Sequence, residues 1–235
     1  MLYLIFDGDD TLWENNVLFE RAIEEFIDHL DHPRLSRAEV RVVLDEIEFV
    51  NTRAHGYGVE VFERSLTDCL LRLRDGDPQR DGEPQRDGDA EVLRRLCQPI
   101  RDGAGTVELL PGTVETLKVL GSRHRLALLT KGHPAEQRLK ISGSGLAELF
   151  EHIEIVPEKE PEVYRYFATA RGIDPECAWM IGNSPRSDIW PALDAGLGAV
   201  LVPHAQTWSL EQRDLPATAG RFLVVDSLPR LLEHF

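Results

Sequence analysis

The sequence predicts an α/β fold, in which a parallel sheet with helices on both faces is interrupted after its first strand by an inserted α-helical domain. Three observations predict it. The chain opens with a short apolar strand, continues with a helical pattern to about residue 101, and alternates strands with helices after residue 105. Such alternation is typical of parallel sheets covered on both faces.

The first predicted strand, residues 3–6, has the sequence YLIF and runs directly into a group of carboxylates. Four mostly apolar residues cannot bury themselves alone, so we expect this strand to join the sheet that the later strands form. The predicted α/β core therefore comprises residues 1–14 and 105–235.

Residues 15–104 have helical periodicity, which predicts the inserted domain. Ser36 and Glu39 have the spacing of a capping box, which begins a helix. The predicted helices cover residues 17–30, 36–50, 59–73 and 90–100. Within 76–90 a six-residue unit is repeated, GDPQRD and then GEPQRD. We predict a flexible loop there rather than an acidic metal-binding repeat, because a segment without apolar residues cannot offset the entropy of ordering.

The remaining strands and helices alternate along the chain. Strands are predicted over residues 124–130, 152–156, 177–182 and 199–203, and the segments 221–226 and 228–235 complete the chain. Helices are predicted over residues 111–122, 134–146, 161–172 and 187–196. In a Rossmann-like sheet of this kind, sites lie beyond the carboxyl ends of the strands, near the point where the strand order reverses.

Composition limits the partners. The net charge of −15 argues against binding a nucleic-acid backbone, which needs clustered Lys and Arg. The three cysteines are odd in number and widely separated, which favours a reducing compartment over a disulfide framework. No apolar run approaches the length that spans a bilayer, and no targeting segment is evident. We expect a cytoplasmic protein that acts on a small phosphorylated metabolite, without a membrane partner.

Polar side chains follow four of the predicted strands, at the point where each strand ends. In chain order they are Asp7, Asp9, Asp10, Thr130, Lys131, Lys159, Asn183, Ser184 and Asp188. Because the carboxyl ends of parallel strands meet at one edge of a sheet, we expect these side chains to converge there.

Converging carboxylates need a cation, since two of them ~4 Å apart repel by about 4 kcal/mol at an effective dielectric constant near 20. Oxygen ligands of this kind suit Mg²⁺. With the charge compensated, Asp7 can attack phosphorus as a nucleophile. Asp9 can protonate the leaving oxygen and later deprotonate a water. Thr130 and Lys159 would hold the phosphoryl oxygens.

Four segments resemble, in order, the signature motifs of the haloacid dehalogenase-like hydrolase superfamily. They are FDGDDTL at 6–12, LALLTKG at 126–132, EKEPEVY at 158–164 and IGNSPRSD at 181–188. The helical insert resembles the α-helical cap that this superfamily carries after strand one. The likeness covers nearly the whole chain.

The resemblance implies a role for each matched residue. Asp7 would be nucleophile and metal ligand, and Asp9 would be general acid/base and a metal ligand through its backbone carbonyl. Thr130 and Lys159 would bind phosphate. Asp188 would be a metal ligand, and the backbone N–H of Lys131 would join the phosphate site, with a role for its side chain left open.

The chain departs from the family pattern at two positions. Asp10 stands where most members have Gly, and Asp tolerates left-handed backbone geometry better than most residues. Asn183 replaces an acid, but its amide can still orient a metal-bound water, so Asn183 stays among the candidate metal ligands. Whether either residue alters the metal affinity is left open.

The branch of the family is partly decided by single residues. Dehalogenating relatives lack the second carboxylate, and Asp9 supplies it here. Phosphonate-cleaving relatives use a cap lysine, and residues 1–117 contain no Lys. The leading hypothesis is therefore an Mg²⁺-dependent hydrolase of small phosphomonoesters that works through an aspartyl-phosphate on Asp7. The alternatives are a phosphoryl-transferring mutase and a non-catalytic phospho-acceptor or binding domain, and the substrate and oligomeric state are left open.

Residues 51–62 interrupt the helical periodicity with two glycines around Tyr57. Arg53, His55 and Tyr57 are candidate substrate contacts in the insert. The alternative is a turn between helices with a surface His and a packed Tyr. Trp13 is predicted to pack rather than to stack on a substrate.

Overall fold

A computed structural model describes residues 1–75, 88–216 and 220–235. The chain folds into two compact units, an α/β unit made of Met1–Asn16 with Ala104–Phe235 and a helical unit, Val17–Gly103. Most of the repeat loop predicted at 76–90 lies outside the described residues. Among the described residues, no helix is both long enough and apolar enough to cross a membrane.

The described part of the α/β unit contains a six-stranded sheet in which every strand is parallel to its neighbours, in the order β3-β2-β1-β4-β5-β6. The strands are β1 Tyr3–Phe6, β2 Arg125–Lys131, β3 His152–Val156, β4 Ala178–Gly182, β5 Gly198–Leu201 and β6 Phe222–Val224. The α/β fold predicted from the alternation of strands and helices is confirmed.

Strand β1 occupies the middle of the sheet, and its last residue fixes where the carboxylates emerge. Phe6 pairs with Leu128 of β2 on one side and with Ile181 of β4 on the other. The strand order reverses between β1 and β4. Asp7 therefore leaves the sheet at the switch point, where open α/β sheets form their sites.

Helices cover both faces of this sheet, because successive side chains of a strand point to opposite sides. Leu4 and Phe6 share one apolar cluster with Leu117 and Ile141. Tyr3 and Ile5 belong to the other, which includes Tyr164 and Phe167. The helices of this unit are α5 Thr113–Gly121, α6 Pro134–Ser144, α7 Pro161–Ala170 and α8 Trp190–Asp194.

The helix predicted over 187–196 is instead two pieces, a π-helical turn over Pro185–Ile189 followed by α8. The carbonyl oxygen of Ser184 accepts both the N–H of Asp188 at 2.9 Å and the N–H of Ile189 at 3.2 Å. The wide turn places Asp188 at the end of β4, facing the sheet edge.

The helical unit contains α1, which begins at Asn16 at the unit boundary, and the three helices that follow it. Their bounds are α1 Asn16–Leu30, α2 Arg37–His55, α3 Val59–Asp75 and α4 Asp89–Gly103. The capping box is present, since the Ser36 side chain accepts from the Glu39 N–H and the Glu39 side chain accepts from the Ser36 N–H. Helix α2 runs five residues past the predicted end, to His55, and stops at Gly56, which has a φ of 81°.

Candidate active site

Two carboxylates and one ammonium meet at the end of β1 and form the Asp7 cluster: Asp7, Lys159 and Asp188. The Nζ atom of Lys159 lies 2.5 Å from Oδ1 of Asp7 and 2.7 Å from Oδ1 of Asp188. All three side chains are buried, and that of Asp188 is fully so. One ammonium thus bridges two carboxylates that lie 181 residues apart in the chain.

Three separate strand ends build this cluster. The backbone N–H of Asp7 donates to the carbonyl of Ile181 at 2.9 Å, which continues the pairing of β1 with β4. Oδ2 of Asp188 accepts the backbone N–H of Ser184 at 3.0 Å. A Cβ atom on Gly182 would lie only 2.2 Å from Oδ2 of Asp188, so only glycine leaves room for that carboxylate. The local backbone therefore fixes where Asp188 points.

Charge is not balanced in the Asp7 cluster. Burial, together with the neighbouring Asp188, raises the pKa of Asp7 to about 7 against the opposing effect of Lys159. Burial lowers the pKa of Lys159, but Asp188 and Asp7 outweigh this and raise it overall, so the ammonium stays charged. With both carboxylates ionised, the cluster carries one excess negative charge in a buried place, which attracts a cation.

Asp9 lies in a different environment, the Asp9 cradle, which consists of Trp13, Gln137 and Lys140. Oδ1 of Asp9 accepts from Nε1 of Trp13 at 2.7 Å, and Oδ2 accepts from Nε2 of Gln137 at 2.8 Å. The Nζ atom of Lys140 reaches both oxygens, at 3.0 and 2.8 Å. Burial raises the pKa of Asp9, but Lys140, followed by Gln137 and Trp13, outweighs this and lowers it overall.

The tight turn after β1 carries the tryptophan of the cradle. The Leu12 N–H donates to the Gly8 carbonyl at 2.8 Å, and the Asp10 N–H donates to the Trp13 carbonyl at 2.7 Å. A Cβ atom on Gly8 would lie 2.6 Å from the Trp13 ring, so glycine allows the indole to pack against the backbone. Trp13 is fully buried, as predicted, and its N–H is directed to Asp9.

Thr130 and Asn183 lie at the same edge of the sheet. Thr130, the second-last residue of β2, is buried, and its Oγ1 lies 3.4 Å from Oε1 of Gln137. The Asn183 amide is shared, since Oδ1 accepts from Oγ1 of Thr11 at 3.2 Å and Nδ2 donates to Oγ1 of Thr207 at 3.1 Å. Asn183 thus ties the loop after β1 to the loop after β4.

Lys131 is bound in an anchor network that it forms with Ser184, Ser187 and Glu211. Its Nζ lies 2.5 Å from Oε1 of Glu211 and 2.9 Å from Oγ of Ser187. Oγ of Ser184 donates to the second Glu211 oxygen. Burial raises the pKa of Glu211, but Lys131 outweighs this and lowers it to about 2. The Lys131 side chain, a candidate phosphate contact in the sequence, therefore already pairs with a buried carboxylate.

Asp10 adopts the left-handed conformation that the sequence allowed for, with a φ of 58°. Its Oδ1 accepts the backbone N–H groups of Asn15 and Asn16, each at 2.9 Å. Atoms of Asp10, Glu14 and His204 that could bind a metal lie within 4.8 Å of one another. Within this group, Nε2 of His204 lies 3.2 Å from Oε2 of Glu14, which links the loops after β1 and β5.

The model of a hydrolase family, the haloacid dehalogenase-like hydrolases, matches residues 2–196. The chain belongs to this family.

Two curated relatives of this haloacid dehalogenase-like hydrolase are phosphatases. A phosphoserine phosphatase of Thermus thermophilus is 40% identical over 82 residues, which cover 33% of each chain. A glyceraldehyde 3-phosphate phosphatase of Pyrococcus furiosus is 30% identical over 130 residues, 53% of each chain. The matches therefore span only a third to about half of the length of these relatives.

Solved structures share the whole fold. A haloacid dehalogenase-like family hydrolase from Xanthomonas campestris is 25% identical, with a TM-score of 0.78 over 100% of this chain and 94% of that one. Dehalogenases with 16–18% identity, among them an L-2-haloacid dehalogenase from Xanthobacter autotrophicus, have the same fold. The comparisons thus establish the family and the fold of this hydrolase.

The Asp7 cluster of this hydrolase presents oxygen ligands for a cation. The available ligand atoms are carboxylate oxygens of Asp7 and Asp188, with the backbone carbonyl of Asp9 and the amide oxygen of Asn183 as the other candidates. Hard oxygen ligands of this kind suit Mg²⁺. Burial, followed by the neighbouring Asp188, raises the pKa of Asp7, so this pair of carboxylates fits a cation that would compensate its charge.

The candidate substrate contacts in the helical unit lie at the end of α2 and in the turn after it. The Arg53 guanidinium stacks over the Phe49 ring, 5.3 Å from its centroid. Nε2 of the exposed His55 lies 3.3 Å from an Arg64 nitrogen, and Tyr57 is half-buried. Their role in substrate binding stays a prediction.

Sequence reasoning missed three residues at the site of this hydrolase: Gln137, Lys140 and Glu211. Gln137 and Lys140 are three positions apart on α6, which puts them on one face of a helix that directly follows the motif containing Thr130. That spacing was a usable signal. No comparable sequence signal marked Glu211, because it lies in a segment without helical or strand periodicity.

Proposed function

We propose that this protein is an Mg²⁺-dependent hydrolase of small-molecule phosphomonoesters that works through an aspartyl-phosphate on Asp7. The observation that carries the proposal is the Asp7 cluster, in which the Lys159 ammonium bridges the buried carboxylates of Asp7 and Asp188 at the switch point of the sheet. This cluster provides a nucleophile, a fixed positive charge and an anionic ligand set within one hydrogen-bonded unit.

In the first step, an Asp7 oxygen attacks phosphorus and the bond from phosphorus to the ester oxygen breaks. Asp9, in its protonated form, gives its proton to the leaving oxygen, so that an alcohol departs. In the free protein the cradle lowers the pKa of Asp9, and the negative charge of a bound phosphate ester raises it again, which favours the acid form in the complex. The Asp9 side chain is 22% exposed and its two oxygens are held in place by the cradle.

In the second step, a water oxygen attacks the phosphorus of the aspartyl-phosphate and gives a proton to Asp9. The bond from phosphorus to the Asp7 oxygen breaks, which releases inorganic phosphate and restores the carboxylate. Thr130, Lys159 and the backbone N–H of Lys131 would hold the phosphoryl oxygens through both steps.

Bound Mg²⁺ would neutralise phosphoryl charge and orient the phosphate. Asp7, Asp188 and the backbone carbonyl of Asp9 would hold it, with Asn183 as the further candidate. Asn183 contributes an uncharged amide that also binds Thr11 and Thr207, so its contribution would lie in orientation rather than in charge.

The relatives support a phosphate ester as substrate, since both curated proteins are named as phosphatases. Haloacid dehalogenases share the fold and provide the second candidate. Asp9 favours the phosphatase, because a halide leaves without a proton whereas an alkoxide needs one. A mutase and a phospho-acceptor domain are the remaining alternatives, and a cytoplasmic location stays a prediction.

A substrate panel tests the proposal. The purified protein is assayed with p-nitrophenyl phosphate, phosphoserine, glyceraldehyde 3-phosphate, a hexose phosphate and 2-chloropropionate, with Mg²⁺ and with EDTA. We expect phosphate release that requires Mg²⁺ and is lost in Asp7→Asn but retained in the exposed control Asp226→Asn. Chloride release, isomerised sugar phosphate, or stoichiometric labelling without turnover would each contradict it.

A further inference from the structure

The residue that controls Asp9 lies outside the four motifs. We propose that Lys140 is a positioning residue that holds the Asp9 carboxylate in the orientation for proton exchange with the leaving group and with water. The inference rests on the proposed function for its catalytic consequence, while the contact itself can be tested independently of any activity.

The Lys140 ammonium contacts Asp9 from a largely buried position. Its side chain is 10% exposed, and Nζ lies within 3.0 Å of both Asp9 oxygens. The same Nζ lies 2.6 Å from Oδ1 of Asn15, in the loop after β1. A buried ammonium with three acceptors has few alternative positions, so it fixes the plane of the carboxylate rather than merely lying near it.

Gln137 extends this arrangement to the phosphate site. Its Nε2 donates to Oδ2 of Asp9 at 2.8 Å, and its Oε1 accepts from Oγ1 of Thr130 at 3.4 Å. Gln137 and Lys140 belong to one turn of α6. This turn therefore links the acid/base residue to a phosphate-binding residue, which sets the relative position of the two groups that the reaction uses together.

Three of the lysines each pair with different carboxylates at this edge of the sheet. The chain has four lysines: Lys118, Lys131, Lys140 and Lys159. Lys159 pairs with Asp7 and Asp188, Lys131 with Glu211, and Lys140 with Asp9. Lys118 is exposed on α5 and belongs to the same unit, so it provides a matched control.

Kinetics with two leaving groups test the catalytic consequence. A p-nitrophenolate leaves without a proton, whereas the alkoxide of phosphoserine needs one, and kcat/KM reports the step in which that bond breaks. We expect Lys140→Met to lower kcat/KM about 100-fold for phosphoserine, or for the best alkyl ester of the panel, the order of loss that a misplaced catalytic group causes. For p-nitrophenyl phosphate we expect a loss below about 10-fold, with Lys140→Arg restoring most of the alkyl-ester activity and Lys118→Met matching the wild type.

A double-mutant cycle separates positioning from a general loss of structure. In an Asp9→Asn background, Lys140→Met should change kcat/KM for the alkyl ester by less than about 3-fold, because the residue through which it acts is already absent. Equal losses for the aryl and alkyl esters, or additive effects in the cycle, would overturn the proposal.

The indole N–H of Trp13 reports the position of Asp9 without any substrate. The chain has four tryptophans, and Trp179→Phe, Trp190→Phe and Trp208→Phe assign the Trp13 signal in a ¹H–¹⁵N spectrum by elimination. We expect Lys140→Met to move this signal upfield and speed its exchange with deuterium, because the acceptor at 2.7 Å is displaced, and Lys118→Met to leave it in place. An unmoved Trp13 signal in Lys140→Met overturns the positioning role. A wild type that hydrolyses no phosphate ester refutes the proposed function instead, while the indole signal still decides the role of Lys140.

Discussion

Asp7 and Asp9 are separated by one glycine, yet their surroundings are opposite. Asp7 shares the ammonium of Lys159 with Asp188, and burial together with that second carboxylate raises its pKa to about 7. Asp9 has the ammonium of Lys140 and two further donors, which lower its pKa despite burial. The excess negative charge therefore lies at Asp7, and the charge of Asp9 is compensated by the protein itself.

The two environments indicate at which carboxylate an added cation would bind. Asp7 and Asp9 lie in the same short loop after β1, so their position in the sequence alone does not separate their roles. The separation comes from the strand ends beside Asp7 and from helix α6 beside Asp9. A divalent cation would complete the charge at Asp7, whereas the Asp9 cradle already holds its carboxylate.

The largest effect is expected from Asp7→Asn. Removing the nucleophile should lower turnover of p-nitrophenyl phosphate at least about 10³-fold. Because the same change removes repulsion with Asp188, the metal-free variant should melt no lower than the wild type. The activity assay measures the loss of turnover, and calorimetry measures the melting temperature. A large drop in melting temperature would show that Asp7 has a mainly structural role.

Asp9→Asn tests the second carboxylate of the comparison, the proposed general acid. We expect a loss of 10²- to about 10⁴-fold in kcat/KM for an alkyl phosphate, the usual range for a general acid, and a smaller loss for an aryl phosphate. Steady-state kinetics with both esters measures the ratio. Equal losses for the two esters would mean that Asp9 serves only to hold other groups.

Glu211→Gln tests the third lysine pair, which supports the site through stability. The pKa of Glu211 is lowered from 4.5 to about 2, so its ionised form stabilises the fold by about 3 kcal/mol above pH 4.5. That contribution should fade as the pH falls from 4.5 toward 2. Urea unfolding of the wild type and of Glu211→Gln from pH 7 to pH 3 measures the difference in their free energies of unfolding. This difference should become smaller as the pH falls.

The exposed pair of Arg230 with Glu233 serves as the control for that measurement. Both side chains are more than half exposed, so Glu233→Gln should leave the free energy of unfolding nearly unchanged. If the wild type and Glu211→Gln differed in free energy of unfolding by the same amount across the pH range, that result would contradict the assigned pairing of Glu211 with Lys131.

The smallest effect is expected from Gln137→Met, which removes one of the neutral donors of the Asp9 cradle. A hydrogen bond to a charged group contributes about 1.5 kcal/mol or more, which corresponds to a loss of about 10-fold in kcat/KM. The exposed Gln98 provides a matched Gln→Met control in the helical unit. A loss as large as that of Lys140→Met would place the main support of Asp9 on the amide.

Part of this site could be predicted from the sequence, because the carboxyl ends of parallel strands meet at the same edge of a sheet. Asp7, Lys159 and Asp188 each follow a strand, and the structure joins them through one ammonium. The pairing of Lys140 with Asp9 could not be predicted in the same way. It depends on how far a side chain of α6 reaches across to the loop after β1, which strand order does not define.

Other misses have similar physical causes. Polar and charged residues dominate the end of α2, where Thr52, Arg53 and His55 obscure the apolar periodicity that marks a helix. The helix continues there until Gly56 stops it. Glu211 lies in a short turn between β5 and β6, and only its burial against Lys131 reveals its role.

Trapping the covalent intermediate tests the central claim most directly. The Asp9→Asn variant is mixed with p-nitrophenyl phosphate and Mg²⁺, so that the intermediate forms without a general acid and breaks down slowly without a general base. The mixture is quenched and reduced with borohydride, which converts an aspartyl-phosphate to homoserine. We predict homoserine at position 7 by peptide mass spectrometry. An unmodified aspartate at position 7, in a sample that has released a burst of p-nitrophenol, would contradict the account.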